Sequence, residues 1–147
     1  MMTKTETYQS LLPQIRALME GETDTIAKMA NVTAVLHHAF GFWWTGFYRV
    51  AGDELVLGPF QGPVACMHIP FGRGVCGAAW QRQETILVPD VHQFAGHIAC
   101  SSESKSEIVV PVLRAGKVIA VLDIDSAEFN TFNQTDQEYL EQIVNLL

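Results

Sequence analysis

The sequence predicts an α+β fold, in which helices at both ends of the chain flank an antiparallel sheet. Apolar residues recur at helical spacing near both ends. Between them lie strand-like segments with hairpin turns at 51–53 and 115–116, and hairpins join antiparallel strands. Because the 147 residues contain no repeat or linker, we expect one domain over residues 1–147, long enough to bury about 70% of its unfolded surface.

Two helices are predicted before the first strand. The helically spaced apolar residues of the first are Tyr8, Leu11, Leu12, Ile15, Leu18 and Met19. Pro13 interrupts this series, so we expect the stable helix to start near Ser10, or to kink there. A second helix should begin with Thr23 or Asp24 as its N-cap and end before Gly41. The residues it should bury are Ile26, Met29, Ala30 and Phe40.

The rest of the chain is predicted to hold the strands and two further helices. The expected strands are, in order, 43–50, 54–57, 67–69, 85–88, 107–113 and 118–125. A glycine-rich turn within 71–80 leads into a short helix, and a long polar loop over 90–106 contains Cys100. At the C-terminal end, Thr135-Asp136-Gln137-Glu138 has a capping-box pattern. The helix that follows should bury Leu140, Ile143, Val144 and Leu147.

Composition and charge exclude several classes of function. The net charge is −7 and the nine Lys and Arg residues are scattered, which argues against a nucleic-acid partner. The first seven residues are polar and lack the apolar core of a signal peptide. No apolar run approaches the roughly 20 residues that a membrane helix needs. We therefore expect a cytoplasmic protein that acts on a small molecule and contacts neither membrane nor nucleic acid.

Three cysteines, Cys66, Cys76 and Cys100, are the most informative residues. Their spacings, with nine and twenty-three residues between them, fit no CxxC zinc or thioredoxin-type pattern. In a reducing compartment they are either buried spectators or thiols that pass a disulfide during turnover. The polar and, we expect, mobile loop around Cys100 favours a reactive thiol, whereas Cys66 and Cys76 look more buried. An exposed thiol near sheltered ones suggests an attacking and a resolving cysteine.

Gly72-x-Gly74-x-x-Gly77 has the spacing of a dinucleotide-binding loop. Such a loop needs a buried strand before it within a βαβ unit, whereas Pro70 precedes this one and its neighbours look like hairpins. The glycines are therefore either a tight turn that packs on the sheet or a helix start that lets backbone N–H groups approach an anion such as a carboxylate.

Two acids stand near the end of the last predicted strand. By strand alternation, Asp123 and Asp125 share one face with Ile119 and Val121. Carboxylates on an apolar face are costly unless a cation or a shared proton meets them. The alternative is that the strand end emerges into solvent and the acids are hydrated.

The register of the second hairpin decides whether Glu107 joins these acids. If Arg114 pairs with Val118, Glu107 lies opposite Asp125 on the same face. A two-residue turn that pairs Arg114 with Lys117 would put Glu107 on the other face. In the first register, three converging carboxylates would form a site for an ammonium group, and one of them could hold a proton near neutral pH.

An aromatic strand segment and five histidines complete the candidate residues. Trp44 and Tyr48 share one strand face, so they either belong to the core or wall a pocket for a methyl or thioether group. The histidines show no ligand spacing, and we expect no metal site. His92 and His97 share the Cys100 loop and could affect its thiol.

Four segments together closely resemble a GAF domain. The GAF-like segments are Gly72-x-Gly74-x-Cys76-Gly77-Ala78-Ala79, Thr85-x-x-Val88-Pro89-Asp90-Val91, Ser106-Glu107-Ile108-Val109-Val110-Pro111-Val112 and Gly116-x-x-Ile119-Ala120-Val121-Leu122-Asp123-Ile124-Asp125-Ser126. The three cysteines and the strand Trp43-Trp44-x-Gly46-Phe47-Tyr48 resemble one branch of that family, the free methionine-(R)-sulfoxide reductases. The resemblance runs from about Leu11 to the end of the sequence.

The resemblance implies a six-stranded antiparallel sheet with flanking helices and a thiol-based reduction of free methionine sulfoxide. Cys100 matches the attacking thiol, Cys66 the resolving thiol, and Cys76 a third cysteine whose role is less settled. The matching substrate-site residues are Trp44, Tyr48, Glu107, Asp123 and Asp125. The implied reductant is thioredoxin and no cofactor is needed.

Two other functions fit the same residues. A free-standing GAF module could bind a small ligand, or sense redox state through these thiols, without turnover. A peroxidase-like thiol enzyme is a weaker alternative. A homodimer is compatible with the sequence.

Overall fold

The computed structural model describes residues 1–98, 100 and 103–147. Its elements are α1 (Lys4–Met19), α2 (Thr25–Phe40), β1 (Trp44–Ala51), β2 (Glu54–Gln61), β3 (His68–Pro70), α3 (Gly74–Arg82), β4 (Ile86–Val88), β5 (Ser106–Arg114), β6 (Lys117–Ser126) and α4 (Gln134–Val144). The strands form one six-stranded sheet in the order β3-β2-β1-β6-β5-β4, and every pairing is antiparallel. The predicted α+β fold, with a GAF-like sheet flanked by helices, is confirmed.

The sheet separates two apolar clusters. Helices α1, α2 and α4 pack on one face, where Phe47 of β1 is fully buried among them. Helix α3 and the loops cover the other face, where Trp44 and Tyr48 of the same strand lie. Strand alternation therefore sends neighbouring aromatic side chains to opposite sides of the sheet. The candidate site residues lie on the α3 side.

Helix α1 begins earlier than the sequence predicts. Thr3 as the N-cap and Glu6 in the first turn form a capping box, so the helix is already established before Ser10. Pro13 lies inside it without ending it. The first turns are also held by tertiary contacts, because Tyr8 is fully buried and its hydroxyl donates to Asp136 Oδ1 of α4 at 2.6 Å.

The ends of α2 are as predicted, but its buried face is not. Asp24 is the N-cap, and Gly41 ends the helix with φ 65°. Of the four residues expected in the core, Ile26 and Ala30 are exposed, Phe40 is partly buried and only Met29 is fully buried. The inward stripe runs from Met29 through Val32, Thr33 and Leu36.

Helix α4 buries Leu140, Ile143 and Val144 as expected, while Leu147 is partly buried. Its capping box starts two residues earlier than the predicted pattern, since Asn133 is the N-cap and Asp136 the reciprocal residue. Among the described residues, no helix combines the length and apolar character needed to cross a bilayer.

Candidate active site

The β5–β6 hairpin places Glu107 directly opposite Asp125. Its turn nevertheless pairs Arg114 with Lys117, and both turn residues have positive φ, 53° at Ala115 and 78° at Gly116. A two-residue turn of this kind matches strand twist. The irregularity between Val112 and Leu113 reconciles the two predicted registers, which exclude each other only in a regular hairpin.

That irregularity also corrects the predicted face of β6. Leu113 pairs with Val118 and Val112 pairs with Ala120, so Ile119 is an extra residue on β6, as in a β-bulge. Ile119 packs against the α1, α2 and α4 side, whereas Val121 lies in the α3-side cluster. The prediction that Ile119 shares the face of the acids is therefore wrong.

The three acids are withdrawn from water to different degrees. Glu107 and Asp123 are each 5% exposed, which excludes the hydrated alternative for both, while Asp125 is partly exposed. Burial first, and then the neighbouring Asp123 and Asp125 charges, raises the pKa of Glu107 well above its usual range. Burial likewise raises the pKa of Asp123. At least one of the acids is therefore suited to carry a proton near neutral pH.

Asp125 differs from Glu107 because it has a hydroxyl partner. Ser104 is 6% exposed, and its Oγ donates to Asp125 Oδ1 at 3.0 Å. Burial, followed by the charge of Asp123, raises the pKa of Asp125, while this hydrogen bond from Ser104 opposes the rise. Because a donated hydrogen bond favours the ionised form, Glu107 is better placed than Asp125 to keep the proton.

Trp44 and Tyr48 form the aromatic wall beside these acids. They are 4% and 2% exposed, and their ring centroids lie 5.8 Å apart. Trp44 Nε1 donates to the Pro63 carbonyl at 3.0 Å, and the Tyr48 hydroxyl donates to the Cys66 carbonyl at 2.8 Å. These bonds hold the β2–β3 connection, which carries Cys66, against the sheet.

The glycine-rich turn brings Cys76 to the same place. A Cβ at Gly77 would lie 2.8 Å from the Pro70 carbonyl oxygen, so only glycine lets α3 approach the end of β3 this closely. The helix then points Cys76, 4% exposed, toward the acids, and burial raises the pKa of its thiol. Because β3 is a three-residue antiparallel strand at the sheet edge, no βαβ unit surrounds the glycines, which excludes a dinucleotide-binding loop. Gly74, at the start of α3, lines the same cavity as the acids, so the tight turn and the anion-binding helix start both stay predictions.

Cys66 and Cys100 form a disulfide, with Cα atoms 5.5 Å apart, and Cys76 is a free thiol. Both bridged residues are partly exposed, so burial does not distinguish Cys66 from Cys100, whereas Cys76 is buried as predicted. The predicted mobility of the Cys100 loop falls in part on Ala99, Ser101 and Ser102, which lie outside the described residues.

Seven of the eight predicted site residues line one cavity, whose space, mouth included, is about 590 Å³. The seven are Trp44, Tyr48, Cys76, Cys100, Glu107, Asp123 and Asp125. Cys66 joins the site through its disulfide to Cys100. The cavity thus has the acids and the aromatic wall on its sheet side, the buried Cys76 thiol of α3, and Cys100 of the disulfide in its lining.

Comparison with known proteins places this arrangement in a family. A GAF domain family model matches residues 22–147. A free methionine-R-sulfoxide reductase from Escherichia coli is 49% identical, with 97% of this chain and 87% of that protein aligned. GAF domain-containing protein A of Dictyostelium discoideum is 57% identical over 99% of this chain and 92% of its own length.

A solved structure of a similar protein supports the same family. The free methionine-R-sulfoxide reductase of Neisseria meningitidis, in complex with its substrate, is 51% identical and superposes with a TM-score of 0.97, covering 99% of this chain and 89% of that one. The chain belongs to the free methionine-R-sulfoxide reductase family of GAF domains.

The reductase site includes residues that sequence reasoning left out. Ser104, Arg73 and Ile98 line the cavity, and no motif distinguishes them. His97, noticed only for its place near Cys100, also lines it, with Nε2 3.9 Å from Glu107 Oε1. Burial first, and then neighbouring His92, lowers the pKa of His97.

Proposed function

We propose that this chain reduces free L-methionine-(R)-S-oxide to L-methionine, using Cys100 as the attacking thiol and Cys66 as the resolving thiol. The observation that carries the proposal is the Cys66–Cys100 disulfide at the edge of a cavity that also holds Glu107, Asp123 and Asp125. A thiol pair supplies the two electrons that the reaction needs, and the acids supply a proton and a countercharge.

In the first step the Cys100 thiolate attacks the sulfoxide sulfur. Oxygen leaves sulfur readily only when it is protonated, so a carboxylic acid beside it acts as general acid. Methionine departs with its sulfur reduced, and Cys100 becomes a sulfenic acid that carries the oxygen. Because burial and neighbouring charges raise the pKa of Glu107, this residue supplies the proton, with Asp125 as the alternative.

In the second step Cys66 displaces the hydroxyl of the sulfenic acid. Water leaves and the Cys66–Cys100 disulfide forms. The geometry supports this step, since the Cα separation of 5.5 Å lies within the range for a bridge. An external dithiol of the thioredoxin type then reduces the bond by exchange, so that no cofactor is required.

The need for this dithiol also assigns the chain, within the proposal, to a reducing cytoplasm, where thiols are kept reduced. A homodimer stays a prediction.

The acids also explain the choice of a free amino acid. The substrate ammonium group would be held by the carboxylates in a cavity of low dielectric, which strengthens the pairing. Peptide-bound methionine sulfoxide lacks that charge. Trp44 and Tyr48 offer an apolar surface to the side chain and its methyl group. The third cysteine, Cys76, lies beside the acids as a free thiol.

The decisive experiment incubates the reduced protein with free methionine-(R)-sulfoxide and dithiothreitol and measures methionine. We expect multiple turnovers with the free amino acid and almost none with an N-acetylated, peptide-like sulfoxide. Binding of the sulfoxide without methionine release would instead favour a GAF ligand-binding or redox-sensing module. Faster consumption of hydrogen peroxide than of sulfoxide in the same assay would favour a thiol peroxidase.

A further inference from the structure

A compact donor set lies within the cavity. Cys76 Sγ, a carboxylate oxygen of Glu107 and a carboxylate oxygen of Asp123 all lie within 4.8 Å of one another. The three residues come from α3, β5 and β6, and each is at most 5% exposed. Small side-chain adjustments in such a cluster would bring all three atoms onto one ion.

One of the two carboxylates in this set has an oxygen without a hydrogen-bond partner. Asp123 Oδ1 is buried and accepts no hydrogen bond from any described residue. A buried carboxylate oxygen without a donor is costly, and native proteins almost always satisfy such groups. Asp123 also lines the cavity, so a hydrogen-bond donor or a cation that enters the cavity could reach its carboxylate.

The donor types select the ion. A thiolate is a soft ligand, which argues against Mg²⁺ and Ca²⁺. One sulfur and two carboxylate oxygens suit the borderline Zn²⁺ ion, which commonly takes three protein ligands and leaves the fourth position open. His97 Nε2, 3.9 Å from Glu107 Oε1, offers a nitrogen from the loop side of the same group.

We propose that Cys76, Glu107 and Asp123 bind one Zn²⁺ ion, and that the ion competes with the amino-acid substrate. Binding replaces the protons of the thiol and the carboxylic acids with the metal. The competition rests on the proposed function, because it follows only if the same acids hold the substrate ammonium group. The metal site itself does not depend on catalysis. Sequence spacing does not reveal it, since the donors lie 31 or 16 positions apart.

The test uses the protein in its disulfide form, where Cys76 is the only free thiol. Titration with Co²⁺, a spectroscopic substitute for Zn²⁺, should produce a sulfur-to-metal charge-transfer band that saturates at one ion per chain. Zn²⁺ should abolish the band at one equivalent. A titration without the band, or with a stoichiometry that does not saturate at one, would overturn the site.

Variants identify the ligands. Cys76→Ser should remove the band, and Asp123→Asn should weaken Co²⁺ binding at least about tenfold, since even residues that only orient metal ligands cost that much. The matched control is His68→Ala, which removes the exposed His68–Glu54 pair and should leave the titration unchanged. A band that survives in Cys76→Ser, or depends on His68, would contradict the assignment. Circular dichroism confirms that each variant is folded.

Competition is measured without turnover. In the double variant Cys66→Ser/Cys100→Ser, Cys76 is again the only thiol, and free methionine sulfoxide should displace Co²⁺ in a concentration-dependent manner. Displacement supports a shared acid site. An unchanged band at saturating sulfoxide would overturn the competition while leaving the metal site intact. A catalytic protein without metal binding would overturn the site and leave the proposed function standing.

Discussion

Glu107 and Asp125 face each other across β5 and β6, although the turn that joins these strands would by itself set them one residue out of register. The extra residue Ile119 absorbs the difference, and the acids therefore meet on the cavity side. Because the bulge lies between the turn and the acids, the register at the site is fixed by pairing deep in the sheet, including the pairing of β6 with β1.

Replacing each of the two bridged cysteines by serine should affect methionine production differently. Cys100→Ser should abolish methionine production with any reductant, because no sulfenic acid can form. Cys66→Ser should complete about one turnover per site with thioredoxin and then stall. Dithiothreitol should restore partial turnover, since a small thiol can reach the sulfenic acid directly. Methionine released per chain is the measurement, and full steady-state activity in Cys100→Ser would contradict the assignment.

The general acid is tested by isosteric amides. Glu107→Gln should lower kcat by roughly 10²–10⁴, the usual contribution of general acid catalysis, because burial first, and then the charges of Asp123 and Asp125, raise the pKa of Glu107. Asp125→Asn is the matched variant on the opposite strand. If Asp125→Asn loses more rate, and Glu107→Gln less than threefold, the proton comes from Asp125.

The same carboxyl should make stability depend on pH. The pKa of Glu107 is raised in the folded chain, whereas in the unfolded chain it has the usual value of about 4.3. Between these two pKa values the folded state therefore binds more protons than the unfolded state. The free energy of unfolding should therefore fall as pH rises through this window. Glu107→Gln should show a shallower fall in urea denaturation at increasing pH, and both proteins should respond alike below the window. An equal slope in the two proteins would count against a protonated Glu107.

Ser104 should act as a positioning residue for Asp125. Ser104→Ala removes the donor to Asp125 Oδ1, and the loss of a hydrogen bond to a charged group should lower kcat/KM roughly tenfold or more. The pKa of Asp125 should rise in this variant, moving the acid limb of the pH profile upward. Ser104→Thr, which keeps the hydroxyl, should restore most of the rate.

The control for the Ser104 variants is Ser10→Ala, on the exposed face of α1. A rate loss without a pH shift would mean a purely structural role.

A substitution on the sheet face covered by α1, α2 and α4 should change stability without changing catalysis. Tyr8→Phe leaves Asp136 without the hydroxyl that donates to Oδ1, although Lys4 Nζ still pairs with Oδ2 at 2.6 Å. We expect a loss of about 1.5–3 kcal/mol in the free energy of unfolding, the range for hydrogen bonds to charged groups. Because Tyr8 packs on the face opposite the cavity, kcat should not change. A parallel loss of kcat at a temperature where the variant is folded would show coupling across the sheet.

Much of the fold follows from local chemistry. The Asp24 and Gly41 caps fix the ends of α2, and turn residues mark both hairpins. The prediction failed where a tertiary contact outweighed a local signal, as with Pro13, which lies inside a helix that a capping box and Tyr8 hold from the N-terminal end. The inward face of α2 is likewise set by the sheet it packs on rather than by the most apolar residues.

The candidate site was predictable where residue type carried the information. Two acids on an apolar strand face are anomalous by themselves, and so is a cysteine in a polar loop. The bulge at Ile119 was not predictable, because nothing in its side chain differs from an ordinary strand residue. Ser104 and His97 gain their importance only from the closeness of Asp125 and Glu107 in space.

The Cys66–Cys100 bridge has a kinetic consequence. While it exists, neither sulfur can attack a second sulfoxide. In the proposed mechanism methionine leaves when the sulfenic acid forms, before an external dithiol reduces the disulfide. Steady-state kinetics with both substrates varied should follow a ping-pong pattern, with parallel double-reciprocal lines. The turnover rate would then be limited either by the concentration of methionine sulfoxide or by the supply of reductant.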